Sequence, residues 1–168
     1  AVKAKYPGKP VKYLVLTHHH MDHAGGIRAY AAQGATLVVG KGAGAHFRKA
    51  LSSPSTRNPD VAARDFSNTP IVEVDGKYVI ADGKREFTAH SVDNPHAAAY
   101  LIGYVPDARL AYVTDIWSPG RDPLPAKITS PLAALTAAVR KAGIAPTRFA
   151  GGHGSTGEYA PLATLAGN

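Results

Sequence analysis

The sequence has no cysteine. That absence excludes disulfides and every thiolate-based site, catalytic or metal-binding. Any bound metal must be held by histidine, aspartate or glutamate. The compartment stays open, because a cysteine-free chain suits cytoplasm and periplasm alike. No apolar run approaches the roughly 20 residues that span a bilayer, and no cleavable export signal is visible, so a membrane is not an expected partner. Internal repeats, coiled-coil heptads and low-complexity tracts are also lacking. So is a dense basic stripe. Nineteen Lys and Arg against 12 Asp and Glu give a net charge of +7, and a basic surface attracts anions. The basic residues are scattered, however, with Lys3, Lys5, Lys9 and Lys12 as the only loose run. We read a solvated surface and do not expect nucleic acid as a partner.

What is present is an ordinary globular balance, 45% apolar and 18% charged. A chain of 168 residues suits a single domain over 1–168 and can bury roughly 70% of its unfolded surface. It opens on Ala1 rather than methionine, so we expect a processed or trimmed chain, a removed signal peptide being one explanation.

Residues 1–10 read as a polar lead-in. VKYLVLT at 11–17 reads as a buried strand. GGIRAYAAQG reads as a short helix closed by Gly34, and ATLVVG at 35–40 as a second strand. A helix is expected over 42–51, then mostly surface loop over 52–70. IVEV, a turn at Asp75-Gly76 and KYVIAD read as a hairpin. Strands are expected at 84–92, 97–105 and LAYVTD, and a last short one at 148–154. A helix is expected over 130–142, with Ser130 as N-cap and Pro131 at its first position. Leu132, Leu135 and Val139 recur at i, i+3, i+7 and supply its apolar face. Strands interleaved with helices imply an α/β or mixed α+β class.

The chemistry sits in His18-His19-His20-Met21-Asp22-His23, between the first strand and Gly25-Gly26. In extended backbone, residues two apart point the same way, so His18 and His20 can converge on one ion. Asp22 and His23 lie past the turn and point toward a second. Imidazole and carboxylate are suitable zinc ligands. A surface histidine run is the bland reading, and the embedded acid and the buried strand in front argue against it. Three later residues stand where a strand gives way to a loop: His96 in Asn94-Pro95-His96, Asp115 in Val113-Thr114-Asp115, and His153 in Gly151-Gly152-His153-Gly154. All three can gather at one sheet edge.

With THHHMDHAGG at 17–26, NPH at 94–96, VTD at 113–115 and GGHG at 151–154, in that order, the chain resembles the metallo-β-lactamase-fold hydrolase superfamily. The resemblance implies an α+β fold, the αβ/βα sandwich of that family. It also implies that His18, His20 and His96 hold a first metal, that Asp22, His23 and His153 hold a second, and that Asp115 bridges them. Two zinc ions are the implied cofactors, with iron or manganese as alternatives. The implied activity is hydrolysis of a small-molecule ester, thioester, lactone or phosphodiester by a metal-activated hydroxide, with Asp22 as the catalytic acid–base.

The aspartate bridge resembles the glyoxalase-II-like, lactonase-like and phosphodiesterase-like branches, and the absence of cysteine excludes the lactamases that use one. Diiron flavoprotein relatives place glutamate where His20 stands. Alternatives are a mononuclear iron oxygenase of the persulfide-dioxygenase kind and an inactive, incomplete fragment. The subgroup looks bacterial, from cytoplasm or periplasm. The family has several strands before its first motif, so the chain is expected to lack N-terminal strands and to form a homo-oligomer that covers the bare edge.

Among the remaining candidates, His19 reads as packing, His46 as solvated, and His90 as the competitor of His96. Thr17, Asp93 and Thr114 are candidates, by adjacency, to orient ligands. Tyr100, Tyr104, Tyr112 and Trp117 read as core or rim, with Trp117 and Tyr159 at a pocket mouth.

Overall fold

The structure is a computed structural model that describes residues 2–54 and 65–167; part of the expected 52–70 loop lies outside the described residues. The chain falls into two compact units, 1–73 and 74–168. No described helix is long and apolar enough to cross a membrane.

In the first unit, β1 (Tyr13–Val15) pairs in parallel with β2 (Thr36–Gly40), Leu14 opposite Leu37. A parallel pair needs a crossover, and two short helices supply it: α2 (Met21–Ala24) and α3 (Ile27–Ala31). The helix expected within GGIRAYAAQG is α3; the short α2, which precedes Gly25-Gly26, lies outside that expectation. α3 does end as expected, with Gly34 at φ 81°. The lead-in also contains a helical turn, α1 (Val2–Lys5), in which Lys3, Ala4 and Lys5 are good helix formers. α4 (Gly44–Ser52) buries Phe47 and Leu51. These join Leu16, Ala24, Ile27, Leu37, Val39 and Phe66 in one apolar cluster. β3 (Ile71–Val74) completes a three-stranded sheet ordered β1-β2-β3.

The second unit is a six-stranded sheet running β4 to β9 in chain order. Its strands are β4 (Lys77–Ala81), β5 (Glu86–Val92), β6 (Tyr100–Val105), β7 (Leu110–Val113), β8 (Arg148–Gly151) and β9 (Thr156–Glu158). All neighbours are antiparallel except β7 and β8. That parallel step again needs a helix, α5 (Ser130–Lys141). Its buried Leu132, Leu135 and Val139 pack with Tyr100, Ile102, Val113, Phe149 and Leu162. Leu162 belongs to α6 (Ala160–Leu165), which, like β9, was not expected. Leu135 is fully buried; truncating it to alanine should cost about 2–5 kcal/mol.

Two expectations need correction. Strands β3 and β4 do not form a hairpin: the Asp75-Gly76 turn carries the chain from one sheet to the other, and β4 pairs with β5 instead. The hairpin turn lies at Asp82, whose carboxylate accepts the backbone N–H groups of Lys84 and Arg85 at 3.0 and 2.9 Å. Such an Asx turn closes β4 onto β5 as effectively as a glycine pair would. At α5 the N-cap is Thr129, so Ser130 and Pro131 are the first two helical residues. Proline fits there because early helical N–H groups have no intrahelical partner.

Candidate metal centre

The first ligand group is built by one turn of backbone. His18 ends the run after β1 and is 2% exposed. Its Nδ1 lies 3.1 Å from the Thr17 hydroxyl, which fixes the ring. His20 is the extended N-cap of α2, and its carbonyl accepts from the N–H groups of His23 and Ala24. The chain thus switches from extended to helical between His20 and Met21, which separates the two ligand pairs. The rings of His18 and His20 stand 4.4 Å apart, and those of His18 and His23 4.8 Å apart. Ligand atoms of His18 and His20 lie within 4.8 Å of each other, as do those of Asp22 and His23. His23 Nε2 is 3.1 Å from the carboxylate of the exposed Asp22.

The second group is built by a sheet. Asp115, just beyond β7, has φ 61°. That left-handed backbone is rare outside glycine, though Asp and Asn tolerate it best, and it marks a residue held in place by its surroundings. The holding groups are visible. The buried Tyr100 hydroxyl accepts from Thr114 N–H at 3.0 Å and donates to the Thr114 carbonyl. The Thr114 hydroxyl reaches Asp115 Oδ1 at 3.3 Å. Burial pushes the Tyr100 phenol well above its ordinary range, with a smaller push from Asp115, so it stays a neutral donor.

His96 Nε2 meets one oxygen of Asp115 at 3.0 Å, and His153 Nε2 meets the other at 3.0 Å. His96 is presented by Asn94, whose side-chain oxygen accepts its backbone N–H at 2.9 Å. His153 is presented by glycines: a Cβ on Gly152 would lie 2.6 Å from the Thr114 hydroxyl and 2.8 Å from that of Tyr112.

The donor chemistry fits divalent metal. All candidates are imidazole or carboxylate, which suit zinc and iron. Ligands about 2.0–2.2 Å from a tetrahedral ion lie roughly 3.3–3.6 Å apart. The 3.0 Å contacts within the second group are near that spacing.

Of the positioning candidates, Thr17 and Thr114 touch a ligand as expected. Asp93 is exposed and bonds no histidine among the described residues. His90 is not a ligand candidate in the fold: it is buried on β5, with Nε2 bonded to Thr88 at 2.8 Å. Exposed His46 stacks edge-on against His19 at 5.5 Å. Trp117 and Tyr159 both pack on Phe149, with rings 5.3 and 5.4 Å away. Tyr100 and Asn94 are the positioning residues that sequence reasoning missed. Only the Asn-Pro pair carried a readable turn signal.

The family model described as the metallo-beta-lactamase superfamily matches residues 1–160. The chain belongs to that superfamily. Solved structures share its fold. A metallo-β-lactamase from Pontibacter korlensis has a TM-score of 0.68 at 19% identity, over 99% of this chain and 74% of that one. A flavodiiron core from Synechocystis has a TM-score of 0.68 at 16% identity, over 99% of this chain but 45% of that one. An archaeal superfamily protein from Sulfolobus tokodaii has a TM-score of 0.60 at 17% identity, over 93% and 66%. At these identities the likeness shows the fold alone, and it bears out the α+β class of metallo-β-lactamase type. No curated protein matches the chain in sequence.

Proposed function

We propose that this superfamily member is a dinuclear zinc hydrolase acting on a small ester, thioester, lactone or phosphodiester, and that its two ligand groups serve one centre. In this reading His18, His20 and His96 hold one ion, Asp22, His23 and His153 hold the other, and Asp115 bridges. The supporting observation is Asp115, whose two carboxylate oxygens each face a different imidazole at 3.0 Å. A carboxylate shared in this way suits a bridge. Zinc bound there would supply a Lewis acid and a water that ionises near pH ~7.

The chain's own groups do the rest. Thr17 holds the His18 ring, and Tyr100 through Thr114 holds Asp115. Asp22, exposed and beside His23, is placed to carry a proton to the leaving group. A homo-oligomer remains part of the proposal.

The fold is also that of flavodiiron proteins, so an iron oxidoreductase is the second reading. His20 argues against it, because an imidazole stands where those relatives place a glutamate.

The test is metal content together with turnover of Asp22→Asn and His96→Ala on thioester, lactone and phosphodiester substrates. We expect two zinc ions per chain, with turnover lost in both variants. Full metal-dependent turnover in either variant, or iron with oxygen-dependent activity, would overturn the assignment.

A further inference from the structure

The second unit contains a cavity of about 360 Å³ to which none of the proposed metal ligands contributes. Its polar wall comes from the edge of the sheet. Lys77 on β4 stands directly opposite His90 on β5, and directly opposed residues on neighbouring strands share a face. Its other wall is the last turn of α5, where Ala138, Lys141 and Ala142 lie at i, i+3 and i+4 on one helix face. His90 is 3% exposed, and its Nε2 is taken by Thr88. Nδ1 is therefore the ring nitrogen left for a ligand. Asp75 is the one acidic side chain in the lining.

We propose that this cavity binds a small phosphate monoester, its phosphoryl group held by the Lys77 and Lys141 ammoniums and a hydroxyl of its organic part donating to His90 Nδ1. Two cations match a phosphoryl dianion. The volume falls at the lower end of small-molecule sites, about 300–1,000 Å³. Asp75 disfavours a bare anion and suits a hydroxyl-bearing organic part, which it can accept a hydrogen bond from. Burial, and next the Lys77 ammonium, hold the His90 imidazole below its ordinary value. The ring is thus neutral; the Thr88 hydroxyl donates to the Tyr104 carbonyl and so accepts from Nε2–H, which leaves Nδ1 as an acceptor.

The test is titration of the whole protein, in phosphate-free buffer, with inorganic phosphate, glycerol phosphate and acetate. Calorimetry is read alongside the ring resonances of His90, assigned with a His90→Gln variant. Saturable binding of glycerol phosphate with a shift of the His90 signals is expected, and the Lys77→Ala/Lys141→Ala double variant should weaken it about tenfold or more. Both lysines are exposed, so the variant should fold; Lys141→Glu provides a second, charge-reversed check. Inorganic phosphate binding as tightly as glycerol phosphate would remove the role given to Asp75. Unchanged affinity in both lysine variants, an unmoved His90 signal, or acetate binding as tightly as either phosphate would overturn the site.

Discussion

The two ligand groups of this chain are made in different ways. His18, His20, Asp22 and His23 lie within six residues, and their geometry follows from a single change of backbone, extended through His20 and helical from Met21. His96, Asp115 and His153 come from the ends of three strands, and only the sheet brings them together. The local group depends on side chains and a single threonine. The dispersed group depends on a scaffold: the Asn94 turn, the Tyr100–Thr114 bonds, the left-handed Asp115 and the glycines beside His153. The local group should therefore fail only when its own residues or Thr17 change. The dispersed group should fail when its supports change as well.

Asp115→Asn would break the comparison most severely. Asparagine tolerates the left-handed backbone, so the fold should survive while the carboxylate is lost. Removing groups that merely orient a metal ligand costs about 10–100-fold in affinity or activity, so loss of the proposed bridge should cost on the order of 100-fold or more. Metal analysis should then find fewer than two ions per chain, with an unchanged circular dichroism spectrum. Two tightly held ions in this variant would mean that the groups bind metal separately.

Thr17→Val keeps the shape of the side chain and removes the 3.1 Å contact to His18. We expect zinc affinity to fall about 10- to 100-fold, with one ion lost well before the other in a competitive chelator titration. Simultaneous loss of both would show that the local group is not independent of the dispersed one.

Gly152→Ala sharpens the scaffold side. The added methyl would sit 2.6 Å from the Thr114 hydroxyl, inside any tolerable contact. Overpacking of this kind costs about 1–3 kcal/mol, measurable by urea unfolding. The displaced loop should also move His153 from Asp115 and weaken one metal. A variant with normal stability and normal metal content would show that the glycine is not needed for close approach.

The same contrast explains what could be read from the sequence. The local group was legible because its spacing is its geometry. The strand ends bearing His96, Asp115 and His153 were legible as positions, since apolar runs stop there. Their supports were not. Nothing local in Tyr100 says that its hydroxyl bonds Thr114 beyond the neighbouring strand; that contact depends on the pairing of β6 with β7 and its register. The Asp75-Gly76 turn misled for the same reason. A turn signal states that the chain reverses or bends, not which strand each arm will pair with, and β3 and β4 joined different sheets. Trp117 and Tyr159 follow ligands in sequence, and their contact with Phe149 is not legible there, because ring packing depends on which strands become neighbours.

The smallest expected effect concerns a histidine outside both groups. His90 lies on the same kind of strand that positions ligands, yet it is bonded to Thr88 and held neutral by burial and by Lys77. Its folded pKa is below the ordinary value of about 6.5, so the unfolded chain takes up a proton first as the pH falls. Where the unfolded state binds more protons, stability rises with pH. The contribution of His90 is thus complete above about pH 6.5 and is lost progressively below it. Urea unfolding should be compared between the parent and His90→Gln from pH 7.5 to 5, with chelator present and phosphate absent. Metal-linked protonation of the other histidines then cancels between the two proteins. The parent should lose more stability than the variant on acidification. An equal slope would mean that His90 is solvated like a surface residue, and would remove the distinction between a histidine buried for packing and those placed to bind metal.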